Sequence, residues 1–410
     1  MDQEKSNDES VESAAVDTEP HAYPEGGLRA WTTVAGSWLQ LFASYGSTSS
    51  FAVFEDFYAR EYLKTTPLST IGWIGSVQTF LIFSMGLAVA KPFDRGYFYH
   101  LLIFGSFLYI FSLFMLSLAQ PQHFYQVFLT HGIGCGLGLG ITLLPSASIV
   151  GHYFSERRPL AMGIAATGSS VGGLVIPILA NSLLHGPLGF ATSVRIIAAM
   201  LGIIGASGIC LMRPHFRRTK AGQSVKVSTY TRDKEFLLSI FAAFFMCLAT
   251  FYPTFYIQLD AVKHNVPTNV AFKLIAILNA CAIPGRILPN LLAHRIGVMN
   301  VQMLSAISCA VIVFGLNGIS YNGSATVIAL TALYGFFSGS VFALLVPLLT
   351  LNGEVYDLGA RTGIGYLFVG LGSLCSSPIS GALLGPQYEW WKANVFSAVR
   401  PRLRRLTPRY

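Results

Sequence analysis

The sequence predicts an all-α polytopic membrane protein, and three observations support this fold class. Apolar residues make up 53% of the 410 positions and charged residues only 11%, which is about half the charged fraction of a soluble domain. Mean hydropathy is +0.55. The charged residues 156–158 (ERR) directly precede an uncharged apolar run to Leu184. That run, at roughly 25 residues, is long enough to cross the hydrocarbon core and too long for an ordinary buried helix of a soluble protein.

Eleven segments of spanning length follow one another along the chain. Each can cross the hydrocarbon core as a helix that rises about 1.5 Å per residue. In chain order we predict spans at 30–54, 69–90, 97–119, 123–149, 158–183, 189–212, 235–257, 269–292, 299–319, 325–350 and 361–384. Beyond Leu384 only residues 393–399 resemble the start of another span, so we expect the twelfth helix to be truncated.

Small residues at regular spacing predict close helix packing. Gly168 and Gly172 form a small-xxx-small pair in the fifth span. The fourth span has a glycine at every second position from Gly132 to Gly140. A nucleotide-binding loop would need the order GxGxxG after a strand, so helix packing is the better interpretation of this run.

The basic residues orient the chain in the bilayer, and we do not interpret the net charge of +8 as nucleic-acid binding. Loops that are cytoplasmic if the N-terminus is cytoplasmic contain thirteen lysines and arginines, and the opposite loops contain four. This asymmetry predicts a cytoplasmic N-terminus, and we expect a multi-pass protein of the plasma membrane. With eleven spans the basic end of the chain would lie outside, which is inconsistent with the rule unless the chain lacks its natural end or the stub folds back.

An internal repeat predicts two lobes. Proline-containing spans with glycines, and basic residues at the starts of the fifth and eleventh spans, recur in the same order in both halves. We expect an acidic disordered tail at 1–22, a six-helix lobe at 23–212, a basic cytoplasmic linker at 213–234, a second lobe at 235–399 and a basic tail at 400–410.

Three motifs carry a family resemblance: residues 25–31 (EGGLRAW), 153–163 (YFSERRPLAMG) and 285–293 (GRILPNLLA). They resemble the major facilitator superfamily and, within it, the monocarboxylate transporter family, particularly the fungal branch that includes metabolite exporters. The resemblance covers roughly residues 23–399 and implies a secondary carrier with rocker-switch alternating access. We expect a small organic acid or another small metabolite as substrate, with export favoured over uptake.

The chain departs from the lactate carriers of that family. Ser49 and Ala282 stand where those carriers have a lysine and an aspartate, and His294 replaces a loop aspartate. The resemblance therefore does not imply lactate–proton symport. Coupling of transport to protons is implied by the family resemblance alone.

Arg286 is the main candidate for substrate binding. An arginine within a span is disfavoured by about 2.5–3.5 kcal/mol unless it meets water or a partner, and its guanidinium can bind a carboxylate bidentately. Asn279 lies seven residues earlier on the same helix face. The alternatives for Arg286 are bonding to carbonyls freed by Pro284 and extension of the side chain to the cytoplasmic interface.

Other polar groups within the spans are weaker candidates. Tyr45, Ser49, Gln78, Tyr252 and Tyr256 are candidate lining residues of the substrate path, and the last two equally suit an aromatic belt. His131 is a conceivable proton carrier, although the sequence indicates no partner for it.

Charged residues at helix ends are candidates for gating. Asp94 and Arg95 are expected to form a contact made only in the outward-open state, with a positive-inside anchor as the alternative. Arg157 and Arg158 are expected to be anchors first and to pair between lobes second.

Several function classes lack support. No Walker GxxxxGK[ST] is present, which argues against an ATP-driven pump, and no HExxH is present to support a zinc protease. The six cysteines lie within apolar segments, so we expect no metal and no cofactor. We expect a monomer in the lipid bilayer with a small-molecule substrate. A transporter-like sensor and a truncated, non-transporting product remain alternatives.

Overall fold

The structure is a computed structural model that describes residues 25–154, 156–215, 233–263, 267–318, 324–351 and 358–384. Within the helices, the side chains of 251–263 and of a few other positions are not described. The acidic tail 1–22, most of the linker 213–234, and residues 385–410 with the expected truncated helix lie outside the described residues.

Eleven helical elements make up the described chain, and they lie where the spans were predicted. They are α1 (Leu28–Phe57), α2 (Leu68–Asp94), α3 (Phe98–Leu116), α4 (Phe124–His152), α5 (Arg158–Leu184), α6 (Gly189–Leu211), α7 (Lys234–Lys263), α8 (Thr268–Ile296), α9 (Val298–Gly318), α10 (Ser324–Ala343 with Leu345–Leu349) and α11 (Leu358–Leu384). The all-helical fold is therefore confirmed for the part of the chain that the structure covers.

Eight of these helices are long and apolar enough to cross a membrane by length and composition, counted over the described residues: α2–α6 and α8–α10. Helix α1 is more polar because it buries Thr33, Ser37, Gln40 and several further serines against its neighbours. Burying hydroxyl and amide groups inside the protein keeps them out of contact with lipid.

The helices pack in two groups that meet along two lines of contact. We call α1–α6 the first bundle and α7–α11 the second bundle. Helix α2 packs along α11, and α5 packs along α8, so these two pairs join the bundles. We call the end of the molecule with Glu25, Asp94, Arg158 and Gly359 the amino-terminal face.

The predicted glycine packing is confirmed. In α5, a Cβ on Gly168 or Gly172 would clash with the Trp38 or Phe42 carbonyl of α1. The glycines of α4 pack alternately against α2 and α3. A Cβ on Gly140 would lie 2.6 Å from the Leu81 carbonyl oxygen of α2, and one on Gly138 would lie 2.5 Å from the Tyr109 nitrogen of α3.

Local departures from regular helix were not predicted, and two of them concern α4 and α10. Residues Phe128–Gly134 of α4 form a π-helical segment, a feature that often accompanies functional sites. Helix α10 is interrupted between Ala343 and Leu345. Pro347 accounts for this break, because its ring clashes with the carbonyl four residues earlier, which is that of Ala343.

Candidate functional site

A cavity of about 60 Å³ lies between the two bundles. The first bundle contributes residues of α1, α2, α4 and α5, and the second contributes residues of α8, α10 and α11. Both bundles therefore form the walls, and any movement of one bundle against the other changes the shape of the cavity. The residues used below are Tyr45, Phe83, Ser169, Arg286, Phe342 and Tyr366.

Arg286 supplies the positive charge of the cavity. The residue is only 6% exposed, and its Nη1 donates hydrogen bonds to the Ala166 carbonyl and the Ser169 hydroxyl of α5. Its Nε has no hydrogen-bond partner. Among the described residues, no carboxylate forms an ion pair with it.

The bonding of Arg286 differs from both sequence-based alternatives. The guanidinium donates a hydrogen bond to the Ala166 carbonyl of the first bundle, which is not a carbonyl freed by Pro284. Its burial also shows that the side chain does not extend to an interface. These two acceptors are neutral, so they leave the charge of the buried guanidinium uncompensated.

Aromatic rings form two walls of the cavity, and each wall joins the two bundles. Tyr45 of α1 meets Phe342 of α10 edge to face, with ring centroids 6.5 Å apart. Phe83 of α2 meets Tyr366 of α11 in the same way at 5.6 Å. Such rings offer flat apolar surfaces to a ligand. Of these four, sequence reasoning found only Tyr45, since an aromatic residue in a span gives the same sequence pattern whether it faces lipid or a cavity.

Asn279 and Ser49 converge at a second point on α5. A Cβ on Gly173 would lie 2.8 Å from Asn279 Oδ1 and 3.0 Å from Ser49 Oγ. The Asn279 amide nitrogen donates to the Ile275 carbonyl at 3.1 Å. Seven residues of helix separate Asn279 from Arg286, which corresponds to about 10 Å along α8. Asn279 and Arg286 therefore share one side of α8. Neither Asn279 nor Ser49 lines the cavity itself.

Gln78 is fully buried in α2 and does not line the cavity. Neither its amide oxygen nor its amide nitrogen has a hydrogen-bond partner. Buried polar side chains are normally satisfied, so such an exception calls for an explanation. The side chains of Tyr252 and Tyr256 lie outside the described residues.

His131 has a partner that the sequence did not indicate. The Tyr58 hydroxyl and His131 Nδ1 are 2.9 Å apart, and the rings of Phe51 and Phe54 pack against the imidazole. Position 131 lies in the π-helical segment of α4. Phe51 and Phe54 of α1 and Tyr58, which directly follows α1, share one side of the helix because they are three and four residues apart. That spacing is the signal that was available in the sequence.

Of the predicted gating residues, Asp94 joins the two bundles. Asp94 Oδ1 accepts a hydrogen bond from the Gly359 backbone amide of α11 at 3.2 Å. Arg95 and Arg157 are exposed. Arg158 donates from Nε to the Phe154 carbonyl of its own bundle at 3.1 Å.

Two further contacts at the amino-terminal face were not predicted. Arg361 of α11 pairs with Asp233 before α7 at 3.2 Å and covers the Phe236 ring. The Glu25 carboxylate accepts the backbone amides of Glu156 and Arg157 at 2.9 and 3.4 Å. The segment before α1 is therefore fastened to the start of α5.

Known proteins are similar to this chain over most of its length. Residues 37–353 match the sequence profile of the Major Facilitator Superfamily. The aspyridones efflux protein of Emericella nidulans is 35% identical over 397 residues, which cover 96% of this chain and 80% of that protein. The agnestins efflux protein of Paecilomyces divaricatus is 32% identical, with 90% and 84% covered.

Solved structures agree on the fold. The Escherichia coli fucose:proton symporter superposes with a TM-score of 0.67 at 16% identity, covering 88% of this chain and 94% of that one. A bacterial homologue of the iron transporter ferroportin superposes with a TM-score of 0.69 at 14% identity, covering 90% and 95%. At such low identity these likenesses concern the fold alone.

Proposed function

The chain belongs to the Major Facilitator Superfamily, and we propose that within it this protein exports an acidic, ring-bearing metabolite. It is a secondary active transporter with several membrane spans. The finer assignment, to the fungal branch of the monocarboxylate transporter family, rests on motifs 25–31, 153–163 and 285–293.

The observation that carries the proposal is the setting of Arg286. It is a buried cation in a cavity between two bundles, and it has only neutral partners there. A carboxylate or another acidic group would neutralise this charge with strong, short hydrogen bonds. This arrangement favours an anionic substrate over a neutral one.

The aromatic walls extend the proposal to the body of the substrate. Tyr45, Phe83, Phe342 and Tyr366 surround the cavity with rings, and most of the remaining lining is aliphatic. A hydrophilic acid such as a short hydroxy acid would leave these surfaces unused, whereas a ring system stacks on them. Efflux as the direction is supported by relatives that are named for efflux of fungal metabolites.

Alternating access provides the mechanism. The cavity of about 60 Å³ is smaller than the roughly 300–1,000 Å³ of sites for drug-sized ligands, so the bundles must separate to admit the substrate. On the positive-inside argument we assign the amino-terminal face to the cytoplasm and the protein to the plasma membrane. Asp94 is then the cytoplasmic latch, since its bond to Gly359 joins α2 of the first bundle to α11 of the second.

Deletion of the gene in its own host tests the proposal. An acidic metabolite is expected to leave the medium and accumulate in the deleted cells, and profiling of both compartments would identify it. Accumulation of an unused acid in the medium would show uptake instead. Unchanged profiles in both compartments would contradict transport of a host metabolite.

Reconstituted flux of that metabolite then tests Arg286. We expect Arg286→Ala to abolish transport at normal surface expression, and Arg286→Lys to retain only a small part of it, because lysine cannot bind a carboxylate bidentately. Arg195→Ala is the matched control. Arg195 is an exposed arginine of α6 that donates to the Ser117 hydroxyl, and neither residue lines the cavity. Equal flux in the Arg286 and Arg195 variants would disprove the role of Arg286.

A further inference from the structure

The bonds of Arg286 define an inter-bundle triangle with Ser169 and Ala166. Arg286 Nη1 donates to both the Ser169 hydroxyl and the Ala166 carbonyl. The Ser169 hydroxyl in turn donates to the same Ala166 carbonyl at 2.9 Å. Because its proton is committed to that carbonyl, the hydroxyl presents a lone pair to the guanidinium.

This triangle exists only where α5 and α8 are in close contact. A Cβ on Gly163 of α5 would lie 2.5 Å from the Arg286 carbonyl oxygen and 2.8 Å from Asn290 Nδ2. Separation of the bundles at the amino-terminal face moves α5 away from α8 and breaks both bonds of Nη1. Arg286 then becomes a flexible side chain without a fixed direction, and ordering it again has an entropic cost.

The Nε edge of the guanidinium is not satisfied by the protein. Nε is buried and has no hydrogen-bond partner, while Nη1 is occupied by α5. A carboxylate can bind an arginine side-on, through Nε and one terminal nitrogen, as well as end-on. With Nη1 held by α5, side-on binding is the geometry left to a substrate.

We propose that Ser169 and the Ala166 carbonyl position Arg286, so that a carboxylate that enters through the open amino-terminal face is bound most tightly, through the Nε edge, once that face closes. This inference rests on the proposed function, since it names how the same site selects its substrate. Ser169 is a positioning residue, because it acts through Arg286. Binding and closure then favour each other, since the acid binds the closed state more strongly.

Distance measurements by electron paramagnetic resonance test the positioning without a substrate. Spin labels on cysteines introduced at the exposed positions Glu156 and Arg295 report the separation of α5 and α8 in the full chain in lipid nanodiscs. We expect Ser169→Ala to raise the ratio of open to closed protein by about tenfold, the effect of one hydrogen bond to a charged group. Ser169→Thr keeps the hydroxyl and is expected to behave like the parent.

Ser170→Ala is the matched control. Ser170 is the next residue, is fully buried, and has a hydroxyl without a hydrogen-bond partner. Its loss should leave the distances unchanged. Equal distances in the Ser169→Ala and Ser170→Ala proteins would overturn the proposal.

Titration with 1-naphthoate separates this inference from the proposed function. The ligand should shift the parent and Ser170→Ala proteins toward the short distance, with Ser169→Ala needing about tenfold more. If naphthoate shifts no variant while Ser169→Ala alone opens the protein, the proposed acidic substrate fails and the positioning of Arg286 stands. If naphthoate closes parent and Ser169→Ala equally, the positioning is wrong and the acidic substrate stands.

Discussion

Asp94 at the end of α2 and Gly359 at the start of α11 are joined across the bundle interface by a hydrogen bond of 3.2 Å. The carboxylate accepts the amide in the first turn of α11, where the helix dipole favours negative charge. Gly359 is also required for this approach, since a Cβ there would clash with the same carboxylate. The contact joins the two bundles at the amino-terminal face.

Asp94→Asn should weaken this closure. Loss of the charge removes about 0.3–1 kcal/mol of helix-end stabilisation, equivalent to roughly a two- to fivefold shift toward the open state. A cysteine at the cavity position Ala147 should then react faster with a polar thiol reagent applied to the amino-terminal face in oriented vesicles, above the background of the native cysteines. Lys91→Gln, an exposed change in the last turn of α2, is the control, and equal rates in the two variants would contradict the latch.

Gly363→Ala should impair closure by steric contact. A Cβ on Gly363 of α11 would lie 2.6 Å from the Gly86 carbonyl of α2 and 2.9 Å from the Ala90 Cβ. Overpacking of this kind costs about 1–3 kcal/mol, and here it falls on the closed state only. Transport is expected to drop by about tenfold or more at normal expression. Gly315→Ala is the comparison, because a Cβ there meets nothing within 4 Å; similar flux in both variants would disprove the steric argument.

Gln78→Met should raise stability and lower transport. The buried amide of Gln78 lacks partners for both polar atoms, and an unsatisfied buried polar group costs about 1–3 kcal/mol. We expect a higher unfolding temperature, together with slower flux if the sequence-based prediction that Gln78 lines the substrate path holds. Gln302→Met should be less favourable, because Gln302 Nε2 donates to the Val341 carbonyl at 3.2 Å. A stabilised Gln78 variant with full flux would remove Gln78 from the path.

Glu25→Ala should destabilise the fold at the amino-terminal face. The carboxylate caps the Glu156 and Arg157 amides before α5, and loss of a cap costs about 0.5–2 kcal/mol. Thermal unfolding in detergent is the measurement, and a lower midpoint is expected. Glu156→Ala is the matched control, because the Glu156 side chain is exposed. Equal unfolding temperatures of the two variants would show that this cap does not stabilise the fold.

Much of the fold could be predicted from the sequence, and so could the central arginine. Partition of apolar residues into lipid is a property of a local window, so each described helix lies at a predicted span. Glycine spacing in α4 and α5 likewise predicted close packing, because small residues have the same effect on any neighbour. Arg286 was recognisable because a charge within an apolar span is costly wherever the helix lies.

The tertiary structure alone decided which groups meet. Ser169 and Arg286 are 117 residues apart, Tyr58 and His131 are 73 apart, and Asp94 and Gly359 are 265 apart. Each contact depends on how two distant helices are rotated and offset, which hydropathy does not record. Phe83, Phe342 and Tyr366 were missed for the same reason. The sequence by itself determined that the chain spans a membrane as helices with a buried cation, whereas packing determined that this cation bridges two bundles.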